Sequence, residues 1–262
     1  MKGVAGLNGR VGVVTGGASG LGKALTEGLV SAGAKVLVAD LDYESAVRVC
    51  AAITEQGGDA TPAAVDVADC GSVERLADIC FETFGRCDVL INNAGIADFG
   101  PALSMPVDRW RRIIDVNLMG IVHGVGAFAP RMAAAKENSH IVNIASVAGL
   151  VPLPGFAAYV ASKSAVVGLS EVLREELAPL GVVVSVACPG WIATAIQPAS
   201  GSGEGPRFRP ELSRVLQAEA AAAIILDQAL AGDLYILTHP EWQEEVRTRF
   251  AALVAPMIAE KS

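Results

Sequence analysis

Charged residues are scarce in this chain: they make up only 18% of its 262 residues, and aromatic residues add only 5%. No basic stripe runs along the sequence, and the 28 acidic residues outnumber the 20 basic ones. Because attraction to a phosphate backbone depends on clustered Lys and Arg, this charge distribution predicts no nucleic-acid partner.

Cysteine is also infrequent, and its spacing indicates no cross-link. The five cysteines are odd in number and form no CxxC pair, whereas a structural zinc site uses four Cys or His ligands at short spacing. We therefore predict reduced thiols, no disulfide framework and no metal site. The five are Cys50, Cys70, Cys80, Cys87 and Cys188.

An uninterrupted apolar run long enough to cross a membrane is missing as well. The two longest charge-free stretches, 141–162 and 178–203, contain several prolines, glycines and hydroxyl residues. A spanning helix needs about 20 predominantly apolar residues, which these stretches do not provide. No apolar segment typical of a signal peptide precedes Arg10, so we expect a cytoplasmic protein with no membrane partner.

Seven short apolar runs alternate with amphipathic helical patterns along most of the chain. Continuous apolar composition is typical of strands buried on both faces of a parallel sheet, which accounts for the mean hydropathy of +0.45. The alternation predicts an α/β fold over residues 1–262, a single Rossmann-like doubly wound domain with helices on both faces of a seven-stranded parallel sheet. The predicted strands are 11–15, 35–40, 63–67, 88–92, 140–146, 182–188 and 234–237.

Two segments after the sixth predicted strand lie outside this alternation. Residues 198–210, PASGSGEGPRFRP, are too rich in Gly, Ser and Pro for a regular element. We interpret the wider segment, about 191–215, either as a mobile lid or as a plain surface loop. After the last strand, the pattern predicts a helical C-terminal extension over about 240–260.

A glycine-rich turn follows the first predicted strand. Gly16, Gly20 and Gly22 lie between Thr15 and a helical run. Glycines permit a tight turn and a close backbone approach to a pyrophosphate, and the N–H groups at the next helix N-terminus bind its oxygens. Asp40 follows Gly22 by 18 residues and ends the second strand, where a carboxylate accepts hydrogen bonds from a ribose and repels a 2′-phosphate. The alternative is an acidic residue that only starts a turn.

The motif order over residues 8–195 resembles the short-chain dehydrogenase/reductase (SDR) family. The turn reads TGxxxGxG, the pair Asp66-Val67 follows the third strand, and residues 92–95 read NNAG. Residues 189–194 match the family's PGxxxT stretch, which contacts the nicotinamide side of the cofactor. The resemblance implies that the cofactor is bound by Gly16, Ser19, Gly20, Leu21, Gly22, Asp40, Leu41, Asp66, Val67, Asn93, Ala94, Gly95, Tyr159, Lys163, Pro189, Gly190, Ile192 and Thr194.

The resemblance also implies a cofactor preference. Family members that prefer NADP tend to have a basic residue before the second motif glycine or after the second strand. This chain has Ser19 and Asp40 at those places, so NAD is expected and NADP is disfavoured.

Tyr159 and Lys163 are four residues apart, so on a helix they point from the same face one turn apart. A phenol titrates near pH 10, and a nearby ammonium together with the positive nicotinamide ring would lower that pKa and make Tyr159 a general base. Ser146, at the end of the fifth strand, is expected to hold the substrate oxygen, and Asn117 to seat a water that relays the proton from Lys163. The order Asn117, Ser146, Tyr159, Lys163 matches the catalytic tetrad of the family. The same family implies that Lys163 also hydrogen-bonds the nicotinamide ribose.

The expected substrate pocket lies beyond the strand ends, where ligands bind in open α/β sheets. Its residues are mostly apolar, and the alternative is that several of them belong to the hydrophobic core and contact no ligand. An apolar pocket predicts a hydrophobic secondary alcohol or ketone of aryl, alicyclic or steroid-like shape. The predicted pocket residues are Ser146, Val147, Leu153, Phe156, Trp191 and Ile196, with Phe99, Leu150, Val151, Ile192 and Phe208 as further candidates.

Two other functions are weighed against an NAD-dependent alcohol dehydrogenase. One is an NADPH-dependent carbonyl or 3-ketoacyl reductase, which Asp40 disfavours. The other is a noncatalytic dinucleotide-binding protein. The last strand lacks the Gly-rich segment common in the family, so we expect a homodimer through helices around 106–134 and 158–180, or else a homotetramer. The three histidines lie at no catalytic or metal-ligand spacing, and no role is assigned to them.

Overall fold

The seven strands of the main sheet are all parallel. The computed structural model describes residues 6–135, 137–193 and 214–259. The strand order β3-β2-β1-β4-β5-β6-β9 reverses direction at β1, which confirms the predicted doubly wound sheet. The strands are β1 (Val11–Thr15), β2 (Lys35–Asp40), β3 (Ala60–Ala64), β4 (Val89–Asn92), β5 (Ser139–Ile144), β6 (Val182–Ala187) and β9 (Tyr235–Ile236).

Helices cover both faces of this sheet. Neighbouring strand residues alternate between the two cores: Val13 packs with Leu76 and Phe128, whereas Val14 packs on the other face with Leu25 and Ile225. Burial on both faces explains why the strands read as continuous apolar runs. The helices are α1 (Gly20–Ser31), α2 (Tyr43–Glu55), α3 (Cys70–Phe84), α4 (Val107–Ile114), α5 (Gly120–Ala134), α6 (Ala157–Leu177), α7 (Ala218–Ala231) and α8 (Gln243–Ala259).

The third strand lies earlier than predicted. It spans Ala60–Ala64, not 63–67, and contains Pro62. Proline lacks a backbone N–H and is tolerated in a strand at the edge of a sheet, which is where β3 lies. The buried side chains of Val65 and Val67 resemble those of a strand, but their backbone has already left the sheet.

Two short strands form a second sheet at the ends of segment 191–215, where the sequence predicted a lid or a loop without regular structure. Strand β7 (Trp191–Ala193) pairs in parallel with β8 (Val215–Gln217). The lid-or-loop prediction for 198–210 falls outside the described residues. The two ends of the segment are therefore held side by side as short strands.

A continuous helical segment, Val107–Ala134, joins α4 and α5 through a π-helical turn at Asp115–Met119. By length and a hydropathy of 1.4 it could cross a membrane, but the core helices of globular proteins pass the same test. Phe128 and Met132 are buried against the sheet. The segment therefore gives no support for a membrane span.

The chain after β9 packs over the loop that follows β5. A short 3-10 turn at Pro240–Trp242 leads into α8. Trp242 is buried against Val147 and Val151, and Val246 lies beside them. This C-terminal segment therefore borders the carboxyl end of the sheet.

An ion network at the opposite end of the sheet provides a stability prediction. Asp88 is 4% exposed and accepts hydrogen bonds from the Val11 N–H at 2.8 Å, from Arg10 Nη1 at 2.6 Å and from Arg86 Nε at 2.8 Å. Burial alone would raise the pKa of Asp88, but these hydrogen bonds outweigh it and hold the pKa below its ordinary value of 3.8. Its stabilising contribution is therefore complete above the unfolded-state pKa and is lost as pH falls through the lower folded-state pKa.

We expect Asp88→Asn to lower the free energy of unfolding at pH 7 by about 1–3 kcal/mol, because two arginines and a buried N–H lose a charged acceptor. Urea unfolding measures this change, and below pH 4 the gap between wild type and variant should narrow. Asp78→Asn is the matched control, because its pair with Arg131 is exposed and is worth less than about 1 kcal/mol. Equal losses in the two variants would contradict the prediction.

Candidate active site

The glycine-rich turn joins β1 to the N-terminus of α1. Gly16 has a φ of 61°, in the left-handed region that favours glycine. A Cβ on Gly22 would lie 1.9 Å from the backbone oxygen of Gly16, so no larger residue fits at that position. Ser19 precedes α1 without a side-chain capping bond. The first N–H groups of α1 are thus placed to bind an anion, as the residues predicted.

The turn is locked to the segment after β4. Thr15 Oγ1 accepts hydrogen bonds from the backbone N–H groups of Asn93 at 3.0 Å and Ala94 at 3.2 Å. The Asn93 side chain donates back to the carbonyls of Thr15 at 3.0 Å and Gly16 at 3.1 Å. This reciprocal bonding fixes the NNAG segment beside the glycine turn.

Asp40 lies at the carboxyl end of β2, facing the turn. One carboxylate oxygen accepts from the Ala18 N–H at 3.0 Å and the other from the Asp42 N–H at 3.0 Å. The carboxylate is therefore held in one orientation by the backbone on both sides. It presents a fixed negative charge at the cleft.

A cleft of about 410 Å³ opens at this edge of the sheet. It brings together the predicted cofactor residues from the first four strand ends, namely Gly16, Ser19, Gly20, Leu21, Gly22, Asp40, Leu41, Asp66, Val67, Asn93, Ala94 and Gly95. Five further residues line the cleft and were not among those expected at the cofactor: Val65, Ile96, Ala97, Arg112 and Val116. Ile96 and Ala97 directly follow the NNAG segment, and this adjacency was the signal that could have found them.

Arg112 is the one cation among the residues that line this cleft. It comes from a basic group in α4 that sequence analysis passed over. Arg109 pairs with Asp98, and Arg111 pairs with Asp108 at 3.4 Å. Arg112 is exposed, and its helix places it on the cleft side. Which of the three arginines faces the cleft depends on the packing of α4, which the sequence does not reveal.

Lys163 lies on α6 between the cleft and Tyr159. It is 4% exposed, and its Nζ donates to the carbonyl of Ile144 at 2.8 Å. A Cβ on Gly95 would lie 3.5 Å from Nζ, so the ammonium lies near the end of the NNAG segment. Burial lowers the pKa of Lys163 to about 8, because a charged ammonium is poorly solvated there.

Tyr159 precedes Lys163 by one helical turn, and Lys163 Nζ lies 5.7 Å from the centre of its ring. Burial raises the pKa of Tyr159, and a hydrogen bond with Ser146 lowers it by less. Desolvation of the phenolate is thus the largest influence on this pKa. The lowering expected from the Lys163 ammonium together with a bound nicotinamide ring stays a prediction.

Ser146 links three segments at the end of β5. Its Oγ accepts from the Ala148 N–H at 3.1 Å and donates to the carbonyl of Pro189 at 3.3 Å. Pro189 and Gly190 follow β6, so Ser146 fixes the positions of two neighbouring strand ends. The Ser146 hydroxyl is thereby held on the side of Tyr159.

Asn117 lies in the π-helical turn and is fully buried. Its amide accepts from the Ile96 N–H at 2.8 Å and donates to the Ile96 carbonyl at 2.9 Å and to Ser162 Oγ at 3.1 Å. Ser162 in turn donates to the Tyr159 carbonyl at 2.7 Å. The side chain therefore braces the cleft wall against α6, and both of its amide N–H groups are used. A water seat at Asn117 stays a prediction.

The predicted substrate residues lie in two apolar groups. Val147, Leu153 and Trp191 pack with Trp242 and Val246 of the C-terminal segment. Sequence analysis missed Trp242 and Val246, because their contact with this loop joins residues nearly 100 positions apart.

The second group is aromatic and lies next to Tyr159. The ring of Phe156 lies 6.2 Å from that of Phe99 and 6.2 Å from that of Tyr159, measured between centroids. Ile192 is partly buried and packs against the core beneath α1 and α7, and its expected contact with the cofactor stays a prediction. Thr194, Ile196 and Phe208 lie outside the described residues.

Three comparisons with known proteins agree on one family. The family model described as short chain dehydrogenase matches residues 10–205. A solved short chain dehydrogenase/reductase from Burkholderia phymatum, in complex with NAD, is 33% identical with a TM-score of 0.87 and covers 95% of this chain and 96% of its own.

Curated relatives are oxidoreductases by name. The 1-deoxy-11-beta-hydroxypentalenate dehydrogenase of Streptomyces exfoliatus is 34% identical, over 92% of this chain and 87% of its own. The 3beta-hydroxysteroid dehydrogenase 2 of Eggerthella lenta is 37% identical, over 72% of this chain and 74% of its own. The Mycobacterium tuberculosis protein named probable oxidoreductase EphD is 37% identical over 72% of this chain, and the match spans about a third (32%) of that protein.

Proposed function

The chain belongs to the short-chain dehydrogenase family, as its motifs predicted, and from this membership and the site geometry we propose that it is an NAD-dependent dehydrogenase of hydrophobic secondary alcohols. The reaction removes a hydride from the carbinol carbon and a proton from its hydroxyl, and gives the ketone. The chain in this proposal contributes Tyr159 as general base, Ser146 and Lys163 as positioning and charge-bearing groups, and Asn117 as a brace.

The position of Lys163 is the observation that supports the proposal most strongly. Its ammonium lies near the cleft wall at Gly95 and over the ring of Tyr159, so one side chain lies between the two regions that hydride transfer requires. A buried lysine with only one backbone acceptor gives a scaffold little benefit, because burial of a cation is unfavourable. At a reacting centre, the same cation stabilises negative charge on a phenol.

The residues around the cleft fit a dinucleotide. Gly16 and Gly22 have no room for a side chain, so the backbone of the turn is packed closely and free to approach a pyrophosphate, and Asp40 presents acceptors for ribose hydroxyls. NAD, when bound, supplies the hydride acceptor. Tyr159 takes the hydroxyl proton of the substrate, Ser146 holds the substrate oxygen near the phenol, and Lys163 stabilises the phenolate and donates to the ribose. Pro189 and Gly190 form the wall on the nicotinamide side.

The apolar surroundings of Tyr159 support a hydrophobic substrate. Phe156 packs against the Tyr159 ring and Phe99 against Phe156, and Val147, Leu153 and Trp191 lie with Trp242 in a second apolar cluster. Such a surface selects by shape and buried area. Relatives named for a hydroxysteroid and a hydroxypentalenate favour an alicyclic or steroid-like alcohol over an aryl one.

A second candidate is an NADPH-dependent carbonyl reductase. The exposed Arg112 favours it, since a guanidinium in the cleft would attract a 2′-phosphate. Asp40 opposes it by charge repulsion. We give priority to NAD because Asp40 is fixed by two backbone bonds, whereas Arg112 is an exposed side chain.

We further propose a cytoplasmic homodimer or homotetramer. Val122 on α5 and Val172 on α6 are exposed on the two helices expected at the subunit contact. Burial of such surface between copies would remove apolar area from water. Sedimentation of the purified chain distinguishes these assemblies from a monomer.

A panel of alcohols tests the proposed reaction. Purified protein is mixed with NAD and with aryl, cyclic or steroidal secondary alcohols, and NADH formation is followed by absorbance. We expect turnover, with kcat/KM higher for cyclic and steroidal alcohols than for short-chain ones, because they bury more apolar surface. Absence of turnover with every alcohol and, in reverse, with every matching ketone would contradict the proposal.

A further inference from the structure

His239 lies at the end of the main sheet, directly behind the Pro189–Gly190 segment. It follows β9 and Thr238, precedes the 3-10 turn at Pro240–Trp242, and is 2% exposed. Sequence analysis gave it no role. A buried imidazole needs partners for both ring nitrogens, and the backbone supplies them here.

The two backbone partners fix the form of the imidazole. The Gly190 N–H lies 3.0 Å from Nδ1, and the Trp191 carbonyl lies 2.9 Å from Nε2. A backbone N–H can only donate and a carbonyl can only accept, so Nδ1 is the acceptor and Nε2 is the donor. The ring is therefore the neutral Nε2–H tautomer. Thr238 Oγ1, 2.6 Å from Nδ1, also donates to that nitrogen.

The ring is also packed tightly against Gly190. A Cβ on Gly190 would lie 2.7 Å from Cγ of the ring, so this position accepts no side chain without a shift. On its other side, the ring faces the backbone carbonyl of Arg214, just before β8. One imidazole thus contacts the segment before β7, the first residue of β7 and the residue before β8.

We propose that His239 is a positioning residue that, in its neutral Nε2–H form, holds residues 189–191 in the conformation that forms the nicotinamide-side wall, and that protonation of His239 releases this wall. The inference rests on the proposed function for the role of the wall. The inference that His239 holds residues 189–191 in place, here called the brace, rests only on contacts within the chain.

The direction of the pH dependence of this brace follows from the hydrogen bond that Nδ1 of His239 accepts. A proton on Nδ1 would face the Gly190 N–H, so the cation loses that hydrogen bond, whereas the Thr238 hydroxyl can rotate and accept from the protonated nitrogen. Two charged side chains bear on the ring: Glu241 favours the cation and Arg214 disfavours it. Burial is the largest influence and lowers the pKa of His239 below its ordinary value of 6.5. The brace is therefore complete at neutral pH and fails only on the acid side.

Nitrogen-15 NMR of the histidine rings tests the brace without any cofactor. The chain has three histidines, and His239→Asn and His140→Gln assign their signals. We expect His239 to be neutral, with its proton on Nε2, and to stay so below pH 6. A proton on Nδ1, or a cationic ring at pH 7, would overturn the proposal.

A set of variants tests the consequence for the wall. His239→Ala removes the hydrogen bonds of the ring with Gly190 and Trp191, whereas His239→Asn keeps an acceptor near the Gly190 N–H. We expect His239→Ala to speed hydrogen exchange at the Gly190 amide and to weaken NADH binding about 10-fold or more, while His239→Asn recovers part of both. His140→Gln is the matched control, because His140 is on β5 and contacts neither segment.

The pH profile separates positioning from general loss of stability. With NADH and a ketone as substrates, wild-type kcat/KM should fall at acid pH, and the His239→Asn variant should lack that fall, since Asn does not titrate. An unchanged Gly190 exchange rate and NADH affinity in His239→Ala would overturn the proposal, as would an acid limb retained in His239→Asn. A wild type that binds no dinucleotide would refute the proposed function, while the NMR and exchange results would still decide the brace.

Discussion

Replacing Tyr159 with Phe is expected to lower kcat for alcohol oxidation by about 10²–10⁴-fold, the range that general acid–base groups contribute. The phenol oxygen takes the hydroxyl proton, and no other side chain near Ser146 among the described residues is placed to replace it. Removal of one oxygen preserves the aromatic contact with Phe156, so folding and cofactor affinity should stay near wild type. Steady-state kinetics and NADH titration measure the two effects separately.

A second tyrosine, Tyr235, provides the matched control. Tyr235 donates from its hydroxyl to Glu171 at 2.6 Å on the protein surface and has no part in the proposed reaction. Tyr235→Phe should therefore leave kcat within about twofold of wild type, since an exposed hydrogen bond contributes little. If Tyr159→Phe behaved like Tyr235→Phe, the noncatalytic dinucleotide-binding alternative would be favoured.

The pH dependence of the wild-type reaction follows from the pKa values of Tyr159 and Lys163. Alcohol oxidation needs a deprotonated phenol, and burial raises the pKa of Tyr159, so kcat/KM for oxidation should rise with pH. Ketone reduction needs the protonated phenol, so kcat/KM for reduction should fall as pH rises. Because the pKa of Lys163 is lowered to about 8, its ammonium loses its charge as pH rises through that value, and this loss limits the rise in oxidation.

The features that could be predicted from sequence are local ones. The glycine turn, NNAG and the Tyr159–Lys163 spacing each depend on neighbours within a few residues, and the parallel sheet brings their strand ends to one edge. Strand β3 was displaced because the buried Val65 and Val67 mimic a strand after the sheet has ended. Burial alone does not distinguish a paired backbone from one that turns beneath a helix.

The features that were missed depend on contacts between distant residues. His239 meets Gly190 across 49 positions, and Trp242 meets Val147 and Val151 across more than 90. The raised pKa of Tyr159 is also nonlocal, because desolvation depends on everything packed around the phenol. A sequence motif can identify the reacting groups, but it does not determine the balance of burial and charge around them.

Replacing Asp40 with Asn is expected to raise the ratio of kcat/KM with NADP to kcat/KM with NAD by about 100-fold. Two unit charges about 5 Å apart at an effective dielectric constant of about 20 repel by about 3 kcal/mol, which corresponds to roughly two orders of magnitude in affinity. The variant keeps an amide oxygen for the Ala18 or Asp42 N–H, so the turn should stay folded. Steady-state kinetics with both cofactors gives the ratio directly.

Asp42→Asn is the matched control, since it removes the same charge two residues away while keeping an N-cap acceptor for the Ser45 N–H. Its cofactor ratio should stay near wild type. Arg112 adds a second step: once Asp40 is neutral, its guanidinium is still the one cation among the residues that line the cleft, so Arg112→Ala in the Asp40→Asn background should remove part of the NADP gain. A wild type that prefers NADP, or an Asp40→Asn ratio equal to that of Asp42→Asn, would instead favour the NADPH-dependent reductase, with Arg112 and not Asp40 as the residue that sets cofactor choice.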